Sequence, residues 1–156
     1  MPVAETQFES SDTHSQNVRV ILYHKTPTSG KTCFLKFDNG AICALGDIPA
    51  LSEIVDPGEP AYVNDLVMHP SLLLKELAQR IGHPAEQLEV DTEFHEKVDV
   101  AGDCLSVFLV RFTDLDPPAA LAEQLKARFI SITEARSLSP AELELLRRAY
   151  VAIMEG

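Results

Sequence analysis

The segment from Pro70 to Gly82 constrains the fold of this chain more than any other stretch. Proline is tolerated in the first turn of a helix, where an amide hydrogen would have no partner, and glycine favours the left-handed position that follows a helix. Between the two, apolar side chains recur with the period of one helical face: Leu73, Leu74, Leu77 and Ile81. The sequence therefore predicts a helix over residues 71–81 that buries one face.

Runs of β-branched, aromatic and other apolar residues predict strands on both sides of this helix. They span residues 18–23, 32–37, 41–45, 92–100, 104–112 and 129–132. The run 104–112 is apolar on both faces, which is typical of a central strand. Together with the helices, these runs predict an α/β fold, with a mixed, mostly antiparallel sheet flanked by helices.

A hairpin turn is predicted between the runs 32–37 and 41–45. Asn39 and Gly40 both tolerate positive φ, and this dipeptide between apolar runs is a strong hairpin signal. If they form a two-residue loop, Phe37 faces Ile42 across the ladder.

Three other segments receive weaker predictions. Residues 46–70 contain four prolines and fit a long loop, with a short helix near Leu51–Val55 or a strand near Tyr62–Met68 as alternatives. Pro84–Leu88 predicts one further helical turn. Asp116 precedes two prolines and is the expected N-cap of a short helix.

A closing helix is predicted from Pro140 to about Met154. Ser139 and Glu142 have the spacing of a capping box, in which each residue satisfies an amide hydrogen at the start of the helix. The apolar face expected to pack on the sheet consists of Leu143, Leu146, Tyr150 and Ile153.

The chain length of 156 residues favours one domain. Residues 1–17 are polar and contain three acidic residues and no Lys or Arg, which predicts a flexible acidic N-terminal tail. Residues 18–156 are the expected single globular domain.

Charge and composition exclude several classes of function. The formal net charge of −11 repels a phosphate backbone, so we expect no nucleic-acid partner. We also expect no membrane segment, because no apolar run is long enough to span a bilayer. An odd number of cysteines (Cys33, Cys43 and Cys104) and the absence of a signal peptide indicate reduced thiols in the cytoplasm.

The segment Lys75-Glu76-Leu77-Ala78-Gln79-Arg80-Ile81-Gly82 resembles the core of a Nudix box, Arg-Glu-apolar-x-Glu-Glu-x-Gly, of the Nudix hydrolase family. The order of elements over residues 18–154 is also similar to the Nudix α/β/α sandwich. In that family the paired glutamates hold divalent metal ions. Here Gln79 and Arg80 stand in their place, and an amide and a cation cannot replace two anionic oxygen ligands.

Because the paired glutamates are replaced, we do not expect the metal-dependent chemistry of that family. We predict a non-catalytic domain that binds a small molecule or a protein, with no catalytic residue, no metal ligand and no cofactor assigned. The alternative is a metal-dependent phosphoanhydride hydrolase, acting on nucleotide derivatives, whose carboxylate ligands have moved elsewhere. A domain that only assembles, for example as a homo-oligomer, is the third hypothesis.

Four residues are the candidate ligand contacts: Glu76, Arg80, Glu96 and Arg111. Glu76 is the remaining carboxylate of the box, and Arg80 could bind a ligand phosphate directly. Glu96 shares a strand face with apolar neighbours, so it either meets a donor or lies on an open face. Arg111 ends an apolar strand, and a three-residue loop at 101–103 would place Glu93 opposite it.

Overall fold

The computed structural model describes residues 18–49, 52–56, 69–100 and 103–155, with the side chain of Asp103 left out. Within these residues, eight strands form one sheet: β1 Val18–Lys25, β2 Thr32–Phe37, β3 Cys43–Ala44, β4 Glu53–Val55, β5 Leu88–Val90, β6 Glu96–Val100, β7 Asp103–Phe112 and β8 Ala127–Ile130. Three α-helices are described, α1 Pro70–Ile81, α2 Ala119–Gln124 and α3 Pro140–Glu155, and there are 3₁₀ helices at Ala85–Gln87 and Ile132–Ser137.

The sheet is mixed and mostly antiparallel, as predicted. Its strand order is β4-β6-β7-β1-β2-β8, with β3 also paired to β1 and β5 also paired to β7. The central strands β1 and β7 run parallel, from Val18 opposite Ser106 to His24 opposite Phe112. All other pairs in the described part of the chain are antiparallel.

Helices cover both faces of the sheet, which gives an α/β/α arrangement. On one side, here called the first face, α3 packs on buried strand residues such as Ile21 and Leu109. On the other, the second face, α1 and α2 pack on residues such as Leu22 and Val110. Alternate residues of β1 and β7 therefore serve different cores, which explains why both strands are apolar on both faces.

Helix α1 agrees with its prediction. The His69 imidazole caps it by accepting a hydrogen bond from the Ser71 amide, with Nδ1 and N separated by 3.2 Å. Gly82 ends it with a φ of 75° in the left-handed region, where a glycine is favoured. Leu73, Leu77 and Ile81 are buried in the second-face core.

The predicted register of the first hairpin is wrong. The Phe37 amide donates to Ala41 O at 2.8 Å and the Gly40 amide to Phe37 O at 2.9 Å, so three residues separate Phe37 from Ala41. The strand after the turn, β3, pairs with β1 instead of following β2. The physical reason is a free stretch on the edge of β1. β2 pairs with β1 over Thr32–Phe34 and continues beside β8 on its other edge, and β3 pairs with β1 at Val20 and Ile21.

Several other boundaries differ from prediction. Residues 53–55 form an edge strand opposite β6, not part of a helix near Leu51–Val55. The second helix begins after Pro118, so Asp116 is not its N-cap. A strand, β5, follows the turn predicted at Pro84–Leu88. The strand predicted at 92–100 begins at Glu96, and the one predicted at 129–132 lies at Ala127–Ile130. The tail 1–17 and the alternative strand Tyr62–Met68 lie outside the described residues.

The buried face of α3 also differs from prediction. Leu146 and Ile153 are buried as expected, and Tyr150 is half-buried against the same core. Leu143, however, is 39% exposed, and Leu145 and Ala149 are buried although they were not predicted to be. The bond between Ser139 and Glu142 forms, with the Glu142 amide donating to Ser139 Oγ at 3.3 Å. Glu142 Oε2 also accepts the Ile42 amide at 3.2 Å, which turns this side of the helix toward the sheet.

Candidate ligand-binding site

A cleft of about 630 Å³, here called the main cavity, lies between the end of α1, the β2–β3 connection and the α2–β8 junction. Its volume is within the range of small-molecule sites. Apolar and charged side chains both contribute to its walls: Phe37, Asp38, Asn39, Ala41, Cys43, Ala44, Leu45, Gly46, Asp47, Arg80, Ile81, Leu125 and Lys126.

Two residues of the main cavity have backbone conformations that are costly for a side-chain-bearing residue. Leu45 has a φ of 71° and Lys126 a φ of 55°, and these are the positive-φ residues other than glycine in the described part of the chain. A conformation of this kind costs on the order of 1–3 kcal/mol and persists where the surrounding structure enforces it, often at functional sites. Both strained residues line the same cleft.

Hydrogen bonds hold the cavity wall in place. Arg19 Nε donates to Asp47 O at 3.0 Å, and its guanidinium lies 2.7 Å from the position that a Cβ on Gly46 would occupy. Gly46 has a φ of 143°, so a side chain there would be strained as well as crowded. Asn39 Nδ2 donates to Asp47 Oδ1 at 3.3 Å, which joins the two turns of the wall.

A second cleft of about 450 Å³, here called the basic cavity, adjoins the main cavity and shares Phe37, Asp38 and Lys126 with it. Lys36 and Arg128 also line it, so three cations and one acid are found among its described lining residues. Lys36 Nζ is held by a hydrogen bond of 2.7 Å to Ser137 Oγ. The Asp38 amide donates to Lys126 O at 2.8 Å, which ties the two sides together.

The thiol in the main cavity is not suited to nucleophilic chemistry. Burial raises the pKa of Cys43 well above its usual range, and the nearby Glu142 raises it further. A thiol in this state is a poor nucleophile at neutral pH, because the reactive species is the thiolate. Cys43 is therefore best described as part of the cavity wall.

The two candidates on α1 are placed differently. Arg80 lines the main cavity, whereas Glu76 lines neither cavity. Glu76 is half-buried, and its Oε2 is buried with no hydrogen-bond partner in the described part of the chain. A buried carboxylate oxygen without a partner is unusual and calls for an explanation.

The residues described around Glu76 do not fit a divalent metal ion. The next helix positions toward the end of α1 on the same side hold Gln79 and Arg80. Both are exposed, and neither supplies an anionic oxygen. No group of three His, Cys, Asp or Glu side chains suited to a metal is found among the described residues. Since Mg²⁺ is held by carboxylates and other oxygen ligands, one carboxylate beside an arginine is a poor site.

Glu96 meets a donor on the first face, and the donor belongs to α3. Arg148 Nη1 donates to Glu96 Oε1 at 2.8 Å, Nη2 to Asp56 Oδ1 at 3.1 Å and Nε to Glu144 Oε2 at 2.9 Å. Arg147 also donates to Glu144, at 2.6 Å from Nη2. This ion-pair network joins α3 to β6 and to the end of β4, and it accounts for Glu96 without a ligand.

Acid should weaken this network in a measurable way. Hydrogen bonds from Arg147 and then Arg148 lower the pKa of Glu144 from 4.5 to about 2. Because the pKa of Glu144 is lower in the folded protein than in the unfolded chain, its ionised carboxylate stabilises the fold above pH 4.5. This stabilisation is lost as the pH falls toward 2 and the carboxylate is protonated. Because Glu144 is partly exposed, we expect the contribution to be at most about 1 kcal/mol.

Urea unfolding between pH 5 and pH 2 tests this expectation. The difference in unfolding free energy between wild type and Glu144→Gln should shrink as the pH falls, because the substitution removes the titrating group. Parallel stability curves for the two proteins would show that Glu144 contributes no pH dependence.

Arg111 lies at the far end of the first face. It is opposite Glu89 of β5, not Glu93, because β6 begins at Glu96, opposite Val107, and β5 pairs with β7 from Val110 to Phe112. Its Nε is buried without a hydrogen-bond partner in the described part of the chain. On β1 its neighbour is Tyr23, where burial raises the pKa to about 12, with Asp91 adding to the shift and Arg111 opposing it.

Most of the residues that line the two cavities are not candidates from the sequence. Lys36 lies about ninety residues before Lys126 and Arg128 along the chain, and the three match no motif. The turn chemistry of Gly46 and Asp47 is the available signal for the bend that follows Leu45. Of the four candidates, only Arg80 lies in either cavity.

Comparison with known proteins assigns no family to the chain. No family model and no curated protein sequence matches it. Among solved structures, the C. elegans Ap4A hydrolase is similar over 86% of this chain and 94% of that one, with a TM-score of 0.48 and 18% sequence identity. A likeness this distant says nothing about activity. No helix in the described residues is long and apolar enough to cross a membrane.

Proposed function

We propose that this domain binds a small organic ligand in the main cavity and releases it unchanged. The observation that carries the proposal is the placement of two strained residues, Leu45 and Lys126, in the walls of one cleft of about 630 Å³. Leu45 and Lys126 are strained in a conformation that glycine would adopt without strain. Such strain is expected to be retained where the side chain itself is needed for binding.

The chemistry of the walls defines what such a ligand would look like. Phe37, Leu45, Ile81 and Leu125 offer apolar surface for its body. Asp38, Asn39 and Asp47 can accept hydrogen bonds from hydroxyl or amino groups. Arg80 and Lys126 supply positive charge at the rim, in keeping with the predicted role of Arg80 toward a ligand phosphate.

The resemblance of α1 to a Nudix box supports a distant Nudix-like sandwich as the origin of this fold, with binding kept and metal ligands lost. The alternative function, hydrolysis of a phosphoanhydride with relocated carboxylates, depends on Glu76 and its unpartnered buried oxygen. A protein partner in place of a small molecule is the other form of the binding hypothesis. Glu96 and Arg111 line neither cavity and are not part of the proposed site.

A fragment screen followed by NMR tests the proposal. We expect aromatic and aliphatic fragments to shift the amide signals of Leu45, Ile81 and Leu125 in a saturable way. Leu45→Asn should weaken the best fragment by about tenfold or more, because about 1.4 kcal/mol of lost apolar contact has this effect. Asparagine tolerates the left-handed conformation, so the backbone should be kept.

The matched control is Leu115→Asn, the same substitution at a side chain that is 79% exposed and lines neither cavity. It should leave fragment binding unchanged. Fragments that shift signals elsewhere and leave the main cavity unaffected, or equal weakening by both variants, would contradict the proposal.

A further inference from the structure

Two like charges face each other directly across the β2–β8 ladder. Lys36 and Arg128 are register partners in this antiparallel pair. Cations directly opposite each other repel and destabilise a sheet. Lys126, two residues before Arg128 and at the start of the same strand connection, adds a third positive charge to the basic cavity.

The surroundings compensate this repulsion only in part. Asp38 is the acid among the described residues that line the basic cavity, and Glu134, which lies outside it, interacts electrostatically with Arg128. Ser137 accepts a hydrogen bond from Lys36 Nζ but carries no charge. Lys126 and Arg128 are exposed, so their charged ends are open to solvent. This concentration of positive charge occurs in a protein whose net charge is −11, so it is not a consequence of a basic composition.

We infer that the basic cavity is a binding site for a doubly charged oxyanion, the phosphate group of a phosphorylated small molecule. A phosphate offers several acceptor oxygens, which match the guanidinium of Arg128 in a bidentate fashion and the two ammonium groups as point charges. Its charge would also relieve the repulsion between Lys36 and Arg128. No covalent step is involved, because the site binds and does not react.

The position of the site relates it to the main cavity. Phe37, Asp38 and Lys126 line both clefts, so a ligand could place its phosphate in one and its body in the other. In this form the inference rests on the proposed function and narrows its ligand to a phosphate monoester or phosphonate with an apolar body. Phosphate binding itself requires only the basic cavity.

Titration of the whole chain with inorganic phosphate at low ionic strength is the first measurement. We expect saturable shifts in the NMR signals of residues 36 and 126–128, weaker binding in high salt because the charges are screened, and a higher melting temperature in phosphate. Arg128→Glu should reduce phosphate affinity at least tenfold. It should also raise the melting temperature without ligand, since a carboxylate opposite Lys36 attracts the ammonium group that the wild-type guanidinium repels.

The control is Arg136→Glu, which makes the same charge change at an exposed arginine that lines neither cavity. It should bind phosphate as the wild type does. Equal loss of affinity in both variants would mean that net charge alone governs binding, and absence of saturable binding by the wild type would mean that there is no site. Either result overturns the inference.

Phenylphosphonate then separates this inference from the proposed function. It carries the same anionic group on an aromatic body and has no ester bond to hydrolyse. Tighter binding than phosphate, with added shifts at Leu45 and Ile81, supports both. Binding equal to phosphate with no shift at these residues supports the basic site and counts against the main cavity. Fragment binding in the main cavity without any phosphate binding supports the proposed function and overturns the basic site.

Discussion

Replacing Leu146 with alanine should lower the free energy of unfolding by about 2–5 kcal/mol, the range for deleting a buried leucine side chain. Leu146 is fully buried in the first-face core, where α3 packs on the sheet. The loss combines the transfer free energy of the removed methyl groups with the cavity that rigid neighbours leave behind. Urea denaturation monitored by circular dichroism measures it directly.

Leu143→Ala provides the matched control on the same helix. The Leu143 side chain is 39% exposed, so its truncation should cost about 0.5 kcal/mol or less, as expected of a surface substitution. Both variants change leucine to alanine in one helix, which removes helix propensity as a difference between them. A loss at Leu143 as large as the loss at Leu146 would restore the face predicted from sequence and refute the observed packing of α3.

This pair of variants also shows what a periodic pattern can and cannot predict. Ser139, Pro140 and the apolar spacing predict that a helix exists and where it starts. Leucines at 143, 145 and 146 give two overlapping stripes, and the helical period is compatible with either. The choice is made by contacts that are distant in sequence, such as the bond from the Ile42 amide to the Glu142 carboxylate.

Strand register shows the same division between local and distant effects. Asn39 and Gly40 predict a turn, and a turn forms there. Local turn chemistry cannot show that β2 leaves part of the β1 edge free, and this free edge is where β3 pairs. The loop predicted at 101–103 differs from the observed pairing by one residue, which alone would place Thr92 opposite Arg111. Glu89 lies there instead, because β6 begins only at Glu96 and β5 pairs with the later part of β7.

The candidate site is even less accessible from the sequence. Arg80 can be selected because it occupies a motif position, and it lines the main cavity. The repulsive pair of Lys36 and Arg128 becomes visible only when the register of β2 and β8 is known. The left-handed conformation of Leu45 has no counterpart in local propensity, because leucine strongly disfavours it. Features of this kind arise where tertiary structure overrides local preference.

The wild-type protein should show no Mg²⁺- or Mn²⁺-dependent hydrolysis of nucleoside diphosphate derivatives. Enzymes commonly exceed the uncatalysed rate by about 10⁶-fold or more, so activity and its absence are easily distinguished. Metal-assisted hydrolysis needs ions that polarise phosphoryl oxygens and activate water. On α1 the ligands for such ions are reduced to Glu76, while Gln79 and Arg80 offer an amide and a repelling cation.

A substrate panel with each metal, assayed for released phosphate, tests this prediction beside the double variant Gln79→Glu, Arg80→Glu. Both positions are exposed, so carboxylates there should not disturb the core. The variant places carboxylates at 76, 79 and 80. We expect it to bind Mn²⁺ more tightly than the wild type, because it replaces an amide and a repelling cation with two carboxylates. Glu76→Gln in the variant background should reverse that gain. Robust metal-dependent turnover by the wild type, abolished by Glu76→Gln alone, would instead establish that a single carboxylate of α1 and ligands outside the helix suffice. The proposal of binding without turnover would then be wrong, and the hydrolase alternative would take its place.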